Sequence, residues 1–325
     1  MKNVALLGDL FTIGIMNRVV DPSDTSEAVK KSADSHGLLH EMIRSFTTLA
    51  RTLNLSHAVK ELGSTRQTVR RHIAQLEEAK GEALFTVEDR QYGLTEAGER
   101  ALPEALGILA RGNAWLNSNV SHVHGLQLFS SVLPDGWCFW QQQHSLGRVW
   151  DSPSCLQRET LRSWAMAGGD IESPFMEHVR PYLIVYRHTI AGWICVEFGE
   201  ESFFVKWFGW AKARSSVGRS LGRMPGGDDF ARMLDEPFHE VQSTQSLRLD
   251  HVFTLVPSEA DGGLKPVNYQ RLMLGGRFPD GSLALYSLVE PSSDIEISGL
   301  DHGKIVQPSA DIMVNMDPAD AKFER

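Results

Sequence analysis

Residues 64–77, with the sequence STRQTVRRHIAQLE, constrain the fold most because they form an amphipathic pattern with two chemically different faces. Val69, Ile73 and Leu76 recur at helical spacing and predict a narrow apolar stripe. Thr65 is a suitable N-cap, since its hydroxyl can accept a hydrogen bond from a first-turn N–H without a helical partner. The pattern predicts a helix that packs on a core through one face only.

The opposite face of this helix carries Arg66, Gln67, Arg70 and Arg71, and no acidic residue occurs before Glu77. Arginine and glutamine have the donors that read base edges in a major groove, and arginine also pairs with phosphates. The alternative is an ordinary solvated helix face. The flanking sequence favours DNA contact, because it supplies the other parts of a groove-binding domain.

A second, shorter helix is predicted directly before this one. Apolar residues recur at helical spacing within residues 38–51, and a short helix then runs from a Ser56 cap to Leu62, where Gly63 ends it. Two short helices joined by a tight glycine-containing turn form a helix-turn-helix, in which the second helix enters the groove.

Residues 84–94 predict a small hairpin, because polar and glycine positions separate its apolar ends. Such a hairpin would be a wing, with Arg90 at its tip or flank and within reach of a phosphate. We expect Arg66, Gln67 and Arg70 to contact base edges. The other predicted DNA contacts are Ser56, Thr68, Arg71 and Arg90, mainly to phosphates, together with Thr65 at the start of the helix.

The run from Ile43 to Glu99 resembles the winged helix-turn-helix of LysR-type transcriptional regulators and aligns with that pattern without a gap. The segment LTEAGE at residues 94–99 stands unbroken, and this motif downstream of a helix-turn-helix is a specific signal. The resemblance implies a DNA-binding regulator that acts as a dimer. Arg66 and Arg70 depart from the pattern, which more often has Gln and Ser, so the operator sequence cannot be borrowed from a relative.

The helix after Thr95 carries a heptad seam. Its residues, spaced 4, 3, 4 and 3 apart, are Leu102, Leu106, Leu109, Asn113 and Leu116. Such a seam predicts dimerisation, with Asn113 able to fix the register, and the LysR resemblance implies the same role. The alternative is that these leucines pack on the C-terminal domain. Pro103 should bend or interrupt the helix near its start.

Composition excludes several classes of protein. The formal net charge of −9 argues against coating nucleic acid by bulk charge and favours a local basic face. The three cysteines are widely spaced, which predicts neither a disulfide framework nor a zinc site. The apolar run at residues 4–16 contains Asp9, lacks a cleavage site and is too short for a membrane span. We therefore expect a cytoplasmic protein with no cofactor and no membrane contact.

The C-terminal region lacks the strand–helix alternation of a doubly wound domain. Candidate strands at 182–187, 193–198 and 203–208 precede a helical and loop stretch, and strands at 251–256, 269–274 and 282–289 follow it. This order, ending in a hairpin at Pro279-Asp280-Gly281, resembles a PAS-type sensor domain. The expected fold class is α+β, with an N-terminal winged helix-turn-helix, a long linker helix and a C-terminal mixed domain with a PAS-like antiparallel sheet.

Five segments are expected along the chain. They are a flexible leader at 1–36, the winged helix-turn-helix at 37–96, a linker and dimerisation helix at 97–120, a PAS-like sensory or regulatory domain at 121–305, and a C-terminal tail at 306–325.

Three further motifs are better explained without a catalytic or metal-binding role. The GxSxG at residues 218–222 follows polar and basic residues instead of a buried strand, so a loop is favoured over a nucleophile elbow. We interpret the GGDDF segment at 226–230 as a turn before a helix. His122 and His124 lack a third metal ligand at a suitable spacing.

The aromatic residues Phe204, Trp207, Phe208 and Trp210 are either core or the lining of a ligand pocket.

These features predict a dimeric, sequence-specific regulator of transcription that binds double-stranded DNA. Its C-terminal domain would sense a small-molecule effector or a protein partner, and whether dimers pair into tetramers stays open. No catalytic or metal residue is assigned. The alternative is a small-molecule-binding or hydrolytic protein whose helix-turn-helix head serves as a protein-interaction module.

Overall fold

The computed structural model describes residues 38–88, 91–116, 120–132, 137–189, 192–225, 227–257 and 263–323. The N-terminal apolar run and Arg90 lie outside the described residues. The N-terminal part, named the DNA-binding part after its predicted role, has helices α1 Leu39–Thr52, α2 Leu55–Leu62 and α3 Arg66–Lys80, strands β1 Phe85–Glu88 and β2 Gln91–Leu94, and helix α4 Glu96–Leu116. The predicted helix-turn-helix, wing and long helix are therefore confirmed as elements.

One apolar core holds the first three helices together. Met42, Phe46, Leu49, Ala58 and Val69 are each at most 1% exposed and come from α1, α2 and α3. Burial of such side chains stabilises by roughly 1.5–3 kcal/mol each. The core fixes the orientation of α3, whose opposite side is left free.

Asn54, and not Ser56, caps α2. The Asn54 Oδ1 atom accepts hydrogen bonds from the backbone N–H of Ser56 at 2.9 Å and of His57 at 3.2 Å. The prediction that Ser56 caps this helix is wrong by two positions, because asparagine in extended backbone reaches the free first-turn donors equally well. This leaves the Ser56 hydroxyl free for another contact.

The helix α4 is continuous through Pro103, which lies inside it. Of the bend or break predicted at Pro103, the break does not occur. Farther along, α4 crosses a helix of the C-terminal domain closely at Gly107, since a Cβ there would lie 3.4 Å from Ser243 Oγ and 3.7 Å from the His239 carbonyl oxygen. The linker helix thus contacts both halves of the chain.

Among the described residues, eight strands form one antiparallel sheet in the C-terminal part. They are β3 Val120–Val123, β4 Leu126–Val132, β5 Cys138–His144, β6 Leu183–Thr189, β7 Gly192–Phe198, β8 Leu247–Pro257, β9 Leu264–Arg277 and β10 Leu283–Pro291. Their order across the sheet is β3-β4-β5-β8-β9-β10-β6-β7. The five strands predicted at 182–198 and 251–289 are confirmed, whereas β3, β4 and β5 were missed.

Helices cover both faces of this sheet. They are α5 Arg148–Asp151, α6 Cys155–Ala167, α7 Phe203–Phe208, α8 Trp210–Ser216 and α9 Gly227–Thr244. Adjacent residues of β9 point to opposite faces. Gln270 accepts a hydrogen bond from Gln157 of α6 at 2.8 Å, and Arg271 lies 5.8 Å from the Phe238 ring of α9. The helices α6 and α9 therefore pack on opposite sides.

The strand predicted at residues 203–208 is wrong, because this segment is the helix α7. Its aromatic residues are strong strand formers, but they also recur at helical spacing. The rings of Phe204 and Phe208, four residues apart, have centroids 4.8 Å from each other. Packing on the sheet therefore makes residues 203–208 helical despite the strand propensity of their aromatic side chains.

The chain after β10 returns across the α6 face. The Val306 N–H donates to Asn268 Oδ1 at 2.9 Å, and the Phe323 N–H donates to Glu159 Oε1 at 2.6 Å. Val314 and Met316 are buried. Within the described ranges, no helix is long and apolar enough to cross a membrane.

Candidate DNA interface

The start of α3 is fixed by Thr65. Its backbone is extended, and its Oγ1 atom accepts a hydrogen bond from the Thr68 N–H at 3.1 Å. The preceding Gly63 has φ +59°, a left-handed conformation that glycine adopts without strain. This turn ends α2 and lets α3 begin three residues later, at Arg66.

The predicted basic face of α3 is open to solvent. Arg66, Gln67, Arg70 and Arg71 are exposed. Among the described residues none of the three arginines forms an ion pair, although Arg66 Nη2 donates to Ser56 Oγ at 2.9 Å. Three unpaired cations on one surface create a positive potential on an otherwise acidic chain. The hydrogen bond places Arg66 over the beginning of α2.

The opposite face of α3 is buried as the spacing predicts. Val69 is 0% exposed, and Ile73 and Leu76 are each 7% exposed. His72 is buried beside them and its Nδ1 atom is 2.8 Å from Ser45 Oγ of α1. Sequence reasoning missed His72, although its position three residues after Val69 already placed it on this face.

The wing is attached to the end of α3 by Glu77. Its Oε1 atom accepts hydrogen bonds from the N–H groups of Leu84 at 2.7 Å and of Phe85 at 3.2 Å. The two strands pair antiparallel, from Phe85 opposite Leu94 to Glu88 opposite Gln91. The wing and α3 are thus held as one unit.

The LTEAGE segment has a structural role at each of two positions. Thr95 Oγ1 donates to the Ala83 carbonyl oxygen at 2.6 Å and accepts from the Gly98 N–H at 3.0 Å. A Cβ at Gly98 would lie 2.2 Å from the Leu84 carbonyl oxygen, so only glycine lets α4 approach the wing this closely. The segment sets the direction in which α4 leaves the DNA-binding part.

The predicted dimerisation residues fall in different surroundings. Leu102 and Leu109 pack partly buried against the core of the DNA-binding part. Leu106 lies at a cleft between α4 and the C-terminal domain. Asn113 is exposed and Leu116 is 72% exposed.

The comparisons with known proteins concern this N-terminal part. Residues 40–99 match the model described as "Bacterial regulatory helix-turn-helix protein, lysR family". These residues are a LysR-type helix-turn-helix. The match includes both helices of the motif, the wing and the LTEAGE segment, so the LysR resemblance of this region is confirmed.

Curated relatives share the same region. The HTH-type transcriptional regulator HdfR of Yersinia enterocolitica serotype O:8 / biotype 1B is 30% identical over 122 residues, covering 38% of this chain and 40% of the relative. HdfR of Yersinia pestis strain Pestoides F is 34% identical over 87 residues, covering 27% and 29%. The chain therefore spans less than half the length of these relatives.

Two solved structures also match in part. The oxidized form of Corynebacterium glutamicum OxyR is 25% identical, with a TM-score of 0.24, over 24% of this chain and 26% of that one. The CbnR_DBD-DNA complex is 25% identical, with a TM-score of 0.24, over 24% of this chain and 91% of that one.

The predicted aromatic pocket residues separate into two groups. Phe204 and Phe208 line a cavity of about 100 Å³ between the sheet and the helices α7 and α9. Trp207 packs instead on Phe203, with ring centroids 5.7 Å apart. Trp210 is 44% exposed and borders an open surface depression. Of the four, the structure brings only Phe204 and Phe208 to the cavity.

A buried charged network borders the same cavity and was not found from the sequence. Arg271 is 3% exposed, lines the cavity and donates through Nη2 to Asp250 Oδ2 at 3.0 Å. Asp250 Oδ1 accepts from Arg248 Nε at 2.8 Å, and Arg248 also pairs with Glu240 of α9. These residues are scattered in the sequence, so no local pattern predicts their meeting.

The structure assigns no catalytic or metal site to the remaining motifs in the described residues. Ser220 of GxSxG follows α8 and precedes a short 3-10 turn, so it lacks the strand that a nucleophile elbow requires. His122 lies on β3 and His124 in the turn after it. In the described part of the chain, no group of three or more His, Cys, Asp and Glu residues could hold a metal ion.

Proposed function

We propose that the protein is a sequence-specific, DNA-binding regulator of transcription that acts as a dimer and whose C-terminal domain responds to a ligand or partner. The exposed arginines on α3, which form no ion pair among the described residues, carry this proposal, because a helix that matches a LysR-type helix-turn-helix places them on one surface. Arg66, Gln67 and Arg70 would contact base edges. Ser56, Thr65, Thr68, Arg71 and Arg90 would contact mainly phosphates.

Support for a dimer comes from apolar side chains on the free side of α4. Ile108 is 38% exposed and Trp115, seven residues later, is 77% exposed. Leu116, which follows Trp115 in the chain, is 72% exposed. Exposed apolar residues at this spacing are expected to be covered by a second helix. The proposed dimer surface comprises the outward part of the predicted seam together with Ile108 and Trp115.

The topology of the C-terminal domain supports a PAS-like sensor. When β6 to β10 are numbered 1 to 5, their order across the sheet is 2-1-5-4-3, with α7, α8 and α9 inserted between the second and third strand. The strands β3, β4 and β5 extend this sheet beyond β8. We propose that residues 121–305 act as a sensory domain in a cytoplasmic protein, with residues 306–323 packed on its α6 face.

A physical route from this domain to the DNA-binding part runs through α9 and α4. Phe238 of α9 lines the cavity, and His239 and Ser243 of the same helix contact α4 at Gly107. A displacement of α9 would therefore move α4 and change the separation of two recognition helices in a dimer. The hydrolytic alternative gains no support, because Ser220 lacks the surroundings of a nucleophile.

Selection from random DNA duplexes in excess competitor tests the proposal. The purified full chain should enrich a two-fold related sequence whose half-sites lie one or more helical turns apart, as expected for a dimer with two recognition helices. If no sequence is enriched over a pool carried through without protein, specific DNA binding is refuted.

A further inference from the structure

The cavity under α7 and α9 has walls that are almost entirely aromatic and aliphatic. Phe204 and Phe208 of α7, Phe238 of α9, and Tyr186 and Tyr269 of the sheet line it. Its volume of about 100 Å³ is somewhat below the roughly 150 Å³ in which a benzene molecule has been accommodated in an engineered cavity. Met224 also lines it, and methionine is an adaptable side chain. A single-ring molecule is therefore the largest that this cavity can take, and its entry requires adaptable side chains such as Met224 to shift.

The cavity contains one feature that an apolar ligand alone would not require. Arg271 lines the wall and is 3% exposed, and its Nε atom has no hydrogen-bond partner among the described residues. Its Nη2 atom is occupied by Gln141 at 2.6 Å and by Asp250 at 3.0 Å. A buried donor without a partner is unfavourable, and an acceptor atom supplied by a ligand would remove that penalty.

The charge around Arg271 is already compensated. Asp250 is 0% exposed and bridges Arg271 to Arg248, which pairs in turn with Glu240. The two arginines thus face the carboxylates of Asp250 and Glu240, and a third carboxyl group, Glu236, lies 4.0 Å from Arg248 with its pKa raised mainly by burial. A ligand carboxylate would add an uncompensated negative charge to a buried site, which is costly. A neutral acceptor makes the hydrogen bond without that charge.

Burial also keeps the neighbouring phenol groups neutral. The pKa of Tyr269 is raised to about 12 because burial disfavours the phenolate, despite the nearby Arg271 guanidinium. Burial raises the pKa of Tyr186 even further. The walls consequently carry no second charge at neutral pH.

We propose that this cavity binds a neutral, single-ring aromatic molecule whose carbonyl or hydroxyl oxygen accepts the free N–H of Arg271. This assignment rests on the proposed sensory function of the C-terminal domain and names its ligand class. The ring would lie among the phenylalanine and tyrosine side chains, with its polar substituent toward β9. A molecule held there would contact α9 directly through Phe238.

Three probes of similar shape test the assignment by calorimetric titration of the full chain. Acetophenone has a neutral carbonyl, α-methylstyrene replaces that oxygen by a methylene group, and benzoate carries a negative charge. Acetophenone should bind at least about tenfold more tightly than α-methylstyrene, since a hydrogen bond from a charged donor is involved. Benzoate should bind more weakly than acetophenone.

Two variants locate the site. Arg271→Met should abolish the preference for acetophenone over α-methylstyrene. Leu221→Phe, which fills the cavity wall while leaving Arg271 in place, should weaken both ligands at least tenfold. The matched control Leu264→Phe lies at a 45% exposed position outside the wall and should bind like the wild type.

Equal affinity of the wild type for acetophenone and α-methylstyrene would overturn the role of Arg271. Tighter binding of benzoate would overturn the neutral class, and no binding of any probe at millimolar concentration would overturn the assignment of the cavity. These titrations contain no DNA. Their failure is therefore distinct from failure of DNA selection, which tests the proposed function separately.

Discussion

Replacement of Gly98 by alanine tests how the LTEAGE segment joins the wing to α4. The added Cβ would lie 2.2 Å from the Leu84 carbonyl oxygen, whereas ordinary contacts begin at 3.4 Å. Leu84 cannot retreat freely, because its N–H donates to Glu77 at 2.7 Å and its carbonyl oxygen accepts from Thr95 at 3.0 Å. The clash must therefore displace α4 or break one of these hydrogen bonds.

The expected cost follows from these two terms. Overpacking a tight site costs about 1–3 kcal/mol, and loss of one hydrogen bond adds about 1 kcal/mol. Since alanine also gains about 0.5–1 kcal/mol in helix propensity, Gly98→Ala should lower the free energy of unfolding of the DNA-binding part by roughly 1–3 kcal/mol. The measurement is hydrogen exchange of α1 and α3 amides in the full chain at increasing urea, which reports local opening of this unit.

Gly112→Ala is the matched control in the same helix. The nearest atom to its added Cβ would be 3.9 Å away, on His40, so there is no clash. The alanine should raise stability by about 0.5–1 kcal/mol through its better helix propensity. If Gly98→Ala and Gly112→Ala had the same effect on exchange, the close approach at Leu84 would be refuted.

Three further outcomes are expected. Asn54→Ala should destabilise the DNA-binding part by about 1 kcal/mol in the same exchange assay, since two first-turn N–H groups of α2 lose their acceptor. Trp115→Glu should shift the sedimentation of the full chain toward a monomer, because it places charge on the proposed dimer surface, and an unchanged dimer would exclude that surface. Burial raises the pKa of Glu290 to about 7, above its unfolded value. The contribution of Glu290 to the free energy of unfolding is therefore fully present below about pH 4.5 and is lost as pH rises through about 7. Glu290→Gln should flatten the fall in thermal stability between these pH values, and a profile identical to that of the wild type would contradict the raised pKa.

Local patterns predicted the DNA-binding part well. The spacing of Val69, Ile73 and Leu76 fixes which face of α3 is buried, and Thr65 and Gly63 fix where the helix begins. Each of these effects acts within one or two helical turns, so it can be read from a short stretch of sequence. The N-cap of α2 was predicted at the wrong residue, because Asn54 and Ser56 are both good N-cap residues and only the backbone conformation selects between them.

The C-terminal domain depends on contacts that no short stretch contains. The α7 segment has strand propensity and became helical through packing of Phe203 and Phe204 on the sheet. The Arg271–Asp250–Arg248 network joins β8, β9 and α9. Its members look like ordinary strand charges in the sequence, because only the register of β8 and β9 pairs Asp250 with Arg271. The sequence offered a pocket only as an alternative to core packing, on a segment predicted to be a strand, and gave no sign of its polar group.

The exposed face of α3 is the surface proposed to read DNA sequence. The most direct measurement compares the affinity of the wild type, Arg70→Ala and the control Arg214→Ala for the selected operator and for unrelated DNA at one salt concentration. Arg214 is exposed on α8, far along the chain from α3. Arg70→Ala should lose about 1–3 kcal/mol of discrimination between the two DNAs, while Arg214→Ala should keep it. Equal discrimination by all three proteins would contradict the assignment of α3 as the recognition helix.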